Sequence, residues 1–451
     1  MSITADSSST TKAHTSTDRV LMISSDGHAT AKMDDYKPYL PPSLRGEFDD
    51  FCKLYAKEGM RINEEASMVR SFDKEFVDIW RENVLDQNRL EGTWDVDVRL
   101  KEMARGGLSA EVIFPDFGIP FELYNKTVAA LKNYRRTPEQ IEGSYYAFNR
   151  WLVDFCSVAP HRFAGMALVS FRDVEDTMAE IRWAKEAGLK GILLPAFSSS
   201  RPVFHPDFDP VWSLLEELEM PVNSHTATSG TFEFGVLPSN DDEYLPEPPP
   251  LPHATVIGPI IQKPVFYSIH QLLMHFVWGG VLEKHPNLQL VFTETGSAWV
   301  VGMLANMDYT WDGAFTPRTV REFVKRPPSE YFRRQCHLGA SVFSRAEMEH
   351  RREIGLDKIT LGVDFPHPEG TWGMGPGHIE YLRATIGAAH VPPDEARQIV
   401  GENAIGLWGF DREKLQPVVD ETGPLMEDIL KEPETDYFPR GDVHKPFGDP
   451  R

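Results

Sequence analysis

The chain is poor in cysteine, short of positive charge, and lacks long apolar runs. Cys52, Cys156 and Cys336 are its three cysteines in 451 residues, and no two form a C-x-x-C pair. This spacing suggests neither a disulfide framework nor a thiolate zinc knuckle, so idle thiols in a reducing compartment are expected. Lysine and arginine number 46 against 68 aspartate and glutamate, a formal net charge of −22. Such a surface repels nucleic acid and anionic membranes, so neither is expected as a partner. No apolar run reaches the roughly 18 residues that a bilayer span needs. The opening MSITADSSSTTKAHTSTDR has no apolar core. It does not read as a secretory signal; residues 1–19 read as a disordered lead-in and the chain as cytoplasmic. There is no G-x-S-x-G elbow, Walker loop or Rossmann glycine motif after a strand, which counts against serine-hydrolase and nucleotide-dependent mechanisms.

What is present is a recurrent unit of helix, tight turn and short apolar run. The runs fall at Val20–Ser24, Ala110–Phe114, Ala164–Ser170, Gly191–Pro195, Pro221–Asn223, Leu288–Phe292, Gln335–Leu338 and Lys358–Val363. Segments such as EAGLKGILLP and EIGLDKITLGVDFPH show the unit clearly. Eight buried strands with helical crossovers predict an α/β fold, a (β/α)8 TIM barrel over residues 20–415. A helical insertion is expected at about 34–105, after the first strand. A long loop rich in proline and acidic residues is expected at about 226–264, after the fifth. Residues 416–451 read as a C-terminal extension.

Residues at the C-terminal ends of barrel strands converge on one pocket. The first run ends in Ser25-Asp26-Gly27-His28, and Asp26 and His28, two apart, point the same way on an extended chain. The fifth ends at His225, the sixth at Glu294 and the eighth at Asp364. A single histidine after an apolar run is usually structural. Two imidazoles and three carboxylates at four strand ends form instead a mixed N/O donor set suited to Zn, Fe or Mn. His270, early in the helix after the fifth strand, and His367, three residues past Asp364, are further candidates. His275 is expected to pack in the core and His285 to face solvent. Asp116, Tyr36, Trp299 and Trp372 are weaker pocket candidates, each as readily explained by packing.

The strand-end motifs SSDGH, PVNSHT, GGVLEKHPNLQLVFTETGSAW and LGVDFPHPEG, with the closing NAIGLWGF, resemble the amidohydrolase superfamily. The likeness, over about Val20 to Phe410, is to its amidohydrolase-related branch, which includes aminocarboxymuconate-semialdehyde decarboxylase. The resemblance implies that Asp26, His28, His225 and Asp364 ligate one metal; in hydrolytic members the residue at the place of Asp364 also accepts a proton from metal-bound water. It implies homo-oligomers or hetero-oligomers with a related subunit, and a small-molecule substrate. Two departures bear on activity. Decarboxylase relatives carry histidine where this chain has Glu294, and an ionised glutamate is a poor proton donor. The fourth strand, GILLPAF, lacks the lysine that bridges two metals in classical members. Glu294, with His270 or His367, would then hold a second metal, as in a branch with dinuclear Fe or Mn/Fe sites. The expected function is therefore O2-dependent hydroxylation of a small aliphatic amino or carboxylic acid, with Asp364 and Glu294 catalytic. The alternatives are hydrolysis of a C–N or C–C bond, with zinc as the other metal choice, non-oxidative decarboxylation, and a low-activity partner subunit.

Overall fold

The computed structural model describes residues 18–58, 74–123, 134–198, 200–226, 229–231, 257–314, 316–373 and 377–434. The lead-in, most of the loop expected at 226–264 and the end of the C-terminal extension lie outside them. Eight parallel strands form the sheet: β1 Ile23–Ser24, β2 Ala110–Pro115, β3 Phe163–Leu168, β4 Gly191–Leu193, β5 Val222–His225, β6 Leu290–Thr293, β7 Cys336–Ser341 and β8 Ile359–Gly362. Each pairs with the next in sequence order, as successive right-handed crossovers require. Strands such as FAGMAL and LVFT are buried along their whole length, which is why they read as unbroken apolar runs.

The seam between first and last strands closes in an unusual way. β1 is only two residues long and kinks at Ser25–Gly27. His28–Ala29 then resumes pairing with Phe114–Pro115 of β2. On the other side Ser25 N–H donates to Leu361 O (2.6 Å), Asp364 N–H to Asp26 O (3.0 Å) and His28 N–H to Phe365 O (2.6 Å). A parallel bridge joins Gly27 and Phe365. The sheet is thereby a nearly closed (β/α)8 barrel.

Between the seam and β2 the described residues are mostly helical, with Arg45–Glu58, Lys74–Trp80 and Val96–Arg105 as α-helices. Asp95 caps the last of these, accepting from Asp97 and Val98 N–H groups. A two-stranded patch, Ala196–Phe197 with Gly230–Thr231, lies beyond β4 and β5 and was not foreseen. Beyond β8, Arg412–Thr422 and Met426–Ile429 are helices, so the start of the C-terminal extension is ordered secondary structure. Its Leu425 pairs with Arg19. Among the described residues no helix is long and apolar enough to cross a membrane.

Candidate metal centre

The strand ends deliver their polar side chains to one buried cluster. At the seam, the Ser24 hydroxyl donates to Asp26 O (2.6 Å) and accepts from Val363 N–H (3.1 Å), locking the kink to the end of β8. Asp26 and Asp364 are fully buried, and His28 and His225 nearly so. His225 Nε2 lies 3.2 Å from Asp26 Oδ1. His28 Nε2 lies 3.3 Å from Oδ1 of both Asp26 and Asp364. The Ser341 hydroxyl, ending β7, donates a short hydrogen bond to Asp26 Oδ2. His367 bridges Asp364 (2.9 Å from Nδ1) and Asp116 (3.4 Å from Nε2), and its ring stacks on that of His28 at 4.3 Å.

Three donor groups result, each with its ligand atoms within 4.8 Å of one another: Asp26, His28 and His225; His28, Asp364 and His367; and Glu294, Asp364, His367 and Glu369. Six of the seven residues expected to ligate metal are therefore brought together. His270 is in none of the groups; it stacks on Trp299 at 4.1 Å. Asp116 joins the cluster through His367. Trp372 donates its indole N–H to His367 O (3.0 Å) and so braces the cluster from behind. Tyr36 is fully buried, its hydroxyl engaged with Thr30, and is core. His275 packs edge-on against Phe204. His285, expected to face solvent, is buried beside Glu216. The turn at Pro286 tucks it under the barrel, where Gln335 Nε2 donates to its carbonyl (2.8 Å). Glu369 and Ser341 escaped the sequence reading. A glutamate five residues past a strand-end aspartate, or a serine inside CHLGASV, carries no signal of its own.

The tautomers show what this cluster lacks. His28 Nδ1 is 2.9 Å from Pro115 O, and His225 Nδ1 is 2.9 Å from Thr226 O. A carbonyl only accepts, so each Nδ1 carries a proton and each neutral ring turns its Nε2 lone pair toward the carboxylates. Lone pair facing carboxylate is repulsive unless a positive charge lies between them. His28 Nε2 and both Asp364 carboxylate oxygens have no hydrogen bond of good geometry, although they are buried. Protons supply the missing charge in the bare protein. Burial and His367 oppose the His28 imidazolium, but Asp26 and Asp364 overcome them and raise its pKa to about 10. Burial opposes the Asp26 carboxylate too, yet His225 and His28 hold its pKa below the ordinary range. His367 is raised well above its ordinary value, because Asp364 and Asp116 outweigh its burial. A divalent cation is the other occupant that such a set fits.

Backbone strain marks the same rim. Glu294 and Asp364, just past the ends of β6 and β8, both adopt left-handed φ of 57°. Residues with side chains rarely do so unless the surroundings over-determine them, and such positions cluster at functional sites. Glu294 lies 3.5 Å from His225 Nδ1, and its side chain keeps 21 % exposure, an open edge on an otherwise sealed cluster. Its pKa is raised well above the usual carboxylate value, first by its recessed position and then by the charges of Asp364 and Asp26.

A (β/α)8 barrel with imidazoles and carboxylates gathered at its strand C-termini defines a class of barrel enzymes built around a metal. The amidohydrolase family profile matches residues 94–410, and the chain belongs to that family. It is 22% identical over 328 residues to 2-amino-3-carboxymuconate-6-semialdehyde decarboxylase of Dictyostelium discoideum, covering 71% of this chain and 78% of that one. Among solved structures it resembles an amidohydrolase from Mycobacterium avium subsp. paratuberculosis, with a TM-score of 0.57 and 19% identity over 86% of this chain and 99% of that one. It also resembles a dihydroxybenzoic acid decarboxylase from Polaromonas, solved with bound manganese and an inhibitor, with a TM-score of 0.52 and 17% identity over 88% and 99% of the two chains.

Proposed function

We propose that the protein is a divalent-metal-dependent, non-oxidative decarboxylase of a small carboxylic acid. Asp26, His28, His225 and Asp364 would hold the metal, and Glu294 would be the proton donor. The observation that carries this reading is the placement of Glu294 on the open edge of the donor cluster, 3.5 Å from His225 Nδ1 and with its side chain 21 % exposed. Decarboxylation ranked low in the sequence because an ionised glutamate is a poor proton donor. Burial, the largest cause of its raised pKa, favours the protonated carboxyl and weakens that objection. The relative from Dictyostelium, matched over 71% of this chain, is itself named as a decarboxylase. Nothing in the comparisons favours the oxygen-dependent hydroxylase ranked first from sequence.

When bound, the cation supplies Lewis-acid polarisation of substrate oxygens. The chain supplies the rest. The carbon–carboxylate bond breaks, its electron pair stays on carbon, the Glu294 proton moves to that carbon, and CO2 leaves. Glu294 regains a proton from solvent through its open edge. His367, held between Asp116 and Asp364, would face the substrate carboxylate.

A second reading has its own observation. The groups Asp26–His28–His225 and Glu294–Asp364–His367–Glu369 share no residue, which suits two metals and hence a dinuclear Fe or Mn/Fe hydroxylase. Elemental analysis together with turnover of a panel of small carboxylic acids under argon separates the two. CO2 release without oxygen, lost in Glu294→Gln while the metal is retained, is the expected result. Oxygen consumption that requires two metals per chain would overturn the decarboxylase reading.

A further inference from the structure

Behind the metal centre, outside every donor group, lies a fully buried ion pair. Arg99 sits one turn into the helix Val96–Arg105, and Glu111 is the second residue of β2. Arg99 Nε donates to Glu111 Oε2 at 2.8 Å, and neither side chain has more than 1 % exposure. A buried guanidinium paired with carboxylate gains little over an apolar pair of the same volume, because desolvation offsets the attraction. Its contacts give it another use. Arg99 Nη1 donates to His28 O (2.9 Å) and reaches Gly92 O (3.4 Å). Its guanidinium lies 3.9 Å from the centre of the Phe365 ring. Phe365 follows Asp364 directly, and its carbonyl accepts from His28 N–H. One cation thus touches both strand ends of the seam, the one bearing Asp26 and His28 and the one bearing Asp364 and His367.

Gly27 fits this arrangement. A Cβ there would overlap Glu111 Oε1 and lie 2.8 Å from Arg99 Nη2. The Asp-Gly-His turn is seated directly on the ion pair, and only glycine allows that approach. The pair also borders a cavity of about 250 Å³ whose walls include Val363 and Phe365. Shorter side chains at position 99 therefore have room for water in place of lost volume.

We propose that Arg99, supported by Glu111, is a positioning residue that fixes His28 and Asp364 relative to each other across the barrel seam, and so sets the affinity and ligand geometry of the metal site. This rests on the metal reading above. Groups placed behind metal ligands typically change affinity by about 10–100-fold when removed.

Co2+ titration of the full-length, metal-free protein tests it, because the visible ligand-field bands report donor geometry independently of fold stability. Arg99→Met is expected to shift those bands and weaken Co2+ binding by about 10–100-fold. Arg99→Lys, which keeps charge but cannot reach Glu111 and the His28 carbonyl together, should fall between. Arg351→Met, breaking the remote buried pair of Arg351 with Glu395 (2.6 Å), should lower thermal stability and leave the spectrum unchanged. Arg99 variants that fold and show wild-type bands and affinity would overturn the proposal. If Arg99→Met fails to fold, Arg99→Lys and Glu111→Gln decide by the same criterion. A wild-type protein whose Co2+ signal is absent, or unaffected by Asp26→Asn, overturns the metal reading itself and this inference with it.

Discussion

His28 and His337 are both recessed histidines at the ends of barrel strands, and they titrate in opposite directions. His337, at the start of β7, faces Gln289 at 3.0 Å, and burial followed by the charge of Lys358 lowers its pKa to about 4. His28, past the end of β1, is raised to about 10 by two carboxylates that overcome the same burial. Burial alone makes an imidazole neutral; carboxylates aimed at it make it a cation or a ligand. The lower end of the barrel is built for stability and the upper end to hold positive charge.

The strongest way to break this contrast is to remove a donor at the upper end. Asp26→Asn or His225→Ala should lower metal affinity by more than about 100-fold, given that residues merely behind ligands account for up to that much. Equilibrium dialysis with Mn2+ would measure it, and wild-type affinity in either variant would separate the cluster from metal binding. Next, Glu294→Gln should reduce CO2 release by about 10²–10⁴-fold, the usual contribution of a general acid, with metal content unchanged.

A pH series sharpens the comparison, because the two histidines contribute with opposite signs. His28 has a raised folded-state pKa, so its stabilisation of the metal-free protein is complete below 6.5 and is lost as pH rises toward 10. His337 has a lowered one, so its contribution is present above 6.5 and is lost as pH falls toward 4. Thermal midpoints across pH 4–10 should show the alkaline loss shrink in His28→Gln, leaving the part due to His367, and the acid loss shrink in His337→Gln. Saturating Mn2+ should suppress the alkaline loss, since the metal replaces the proton. The smallest effect is expected from His337→Gln at neutral pH: about 1 kcal/mol of stability, one hydrogen bond's worth, and no change in CO2 release.

The strands were legible because most are buried on both faces and so read as short apolar runs, such as FAGMAL and LVFT. Gly191–Pro195 became Gly191–Leu193, and Lys358–Val363 became Ile359–Gly362, shifts of one or two residues. The rim residues were legible because a polar side chain directly after such a run stands out. Arg99 and Glu111 were not. A charged residue in an amphipathic helix reads as solvated, and a glutamate in AEVIFP reads as the edge of a strand. Only the tertiary seam pairs them. The raised pKa of Glu294 was equally hidden, since it depends first on the depth of the pocket and then on Asp364 and Asp26, distant in sequence.

The seam has a consequence for biosynthesis. Asp26 and His28 leave the ribosome early, whereas Leu361, Asp364 and Phe365, which close hydrogen bonds to that first turn, follow more than three hundred residues later. On the ligand set proposed above, the nascent chain therefore lacks its fourth ligand, Asp364, until its eighth strand docks beside its first. On that reading, a product truncated before Val363 would be released without the full ligand set.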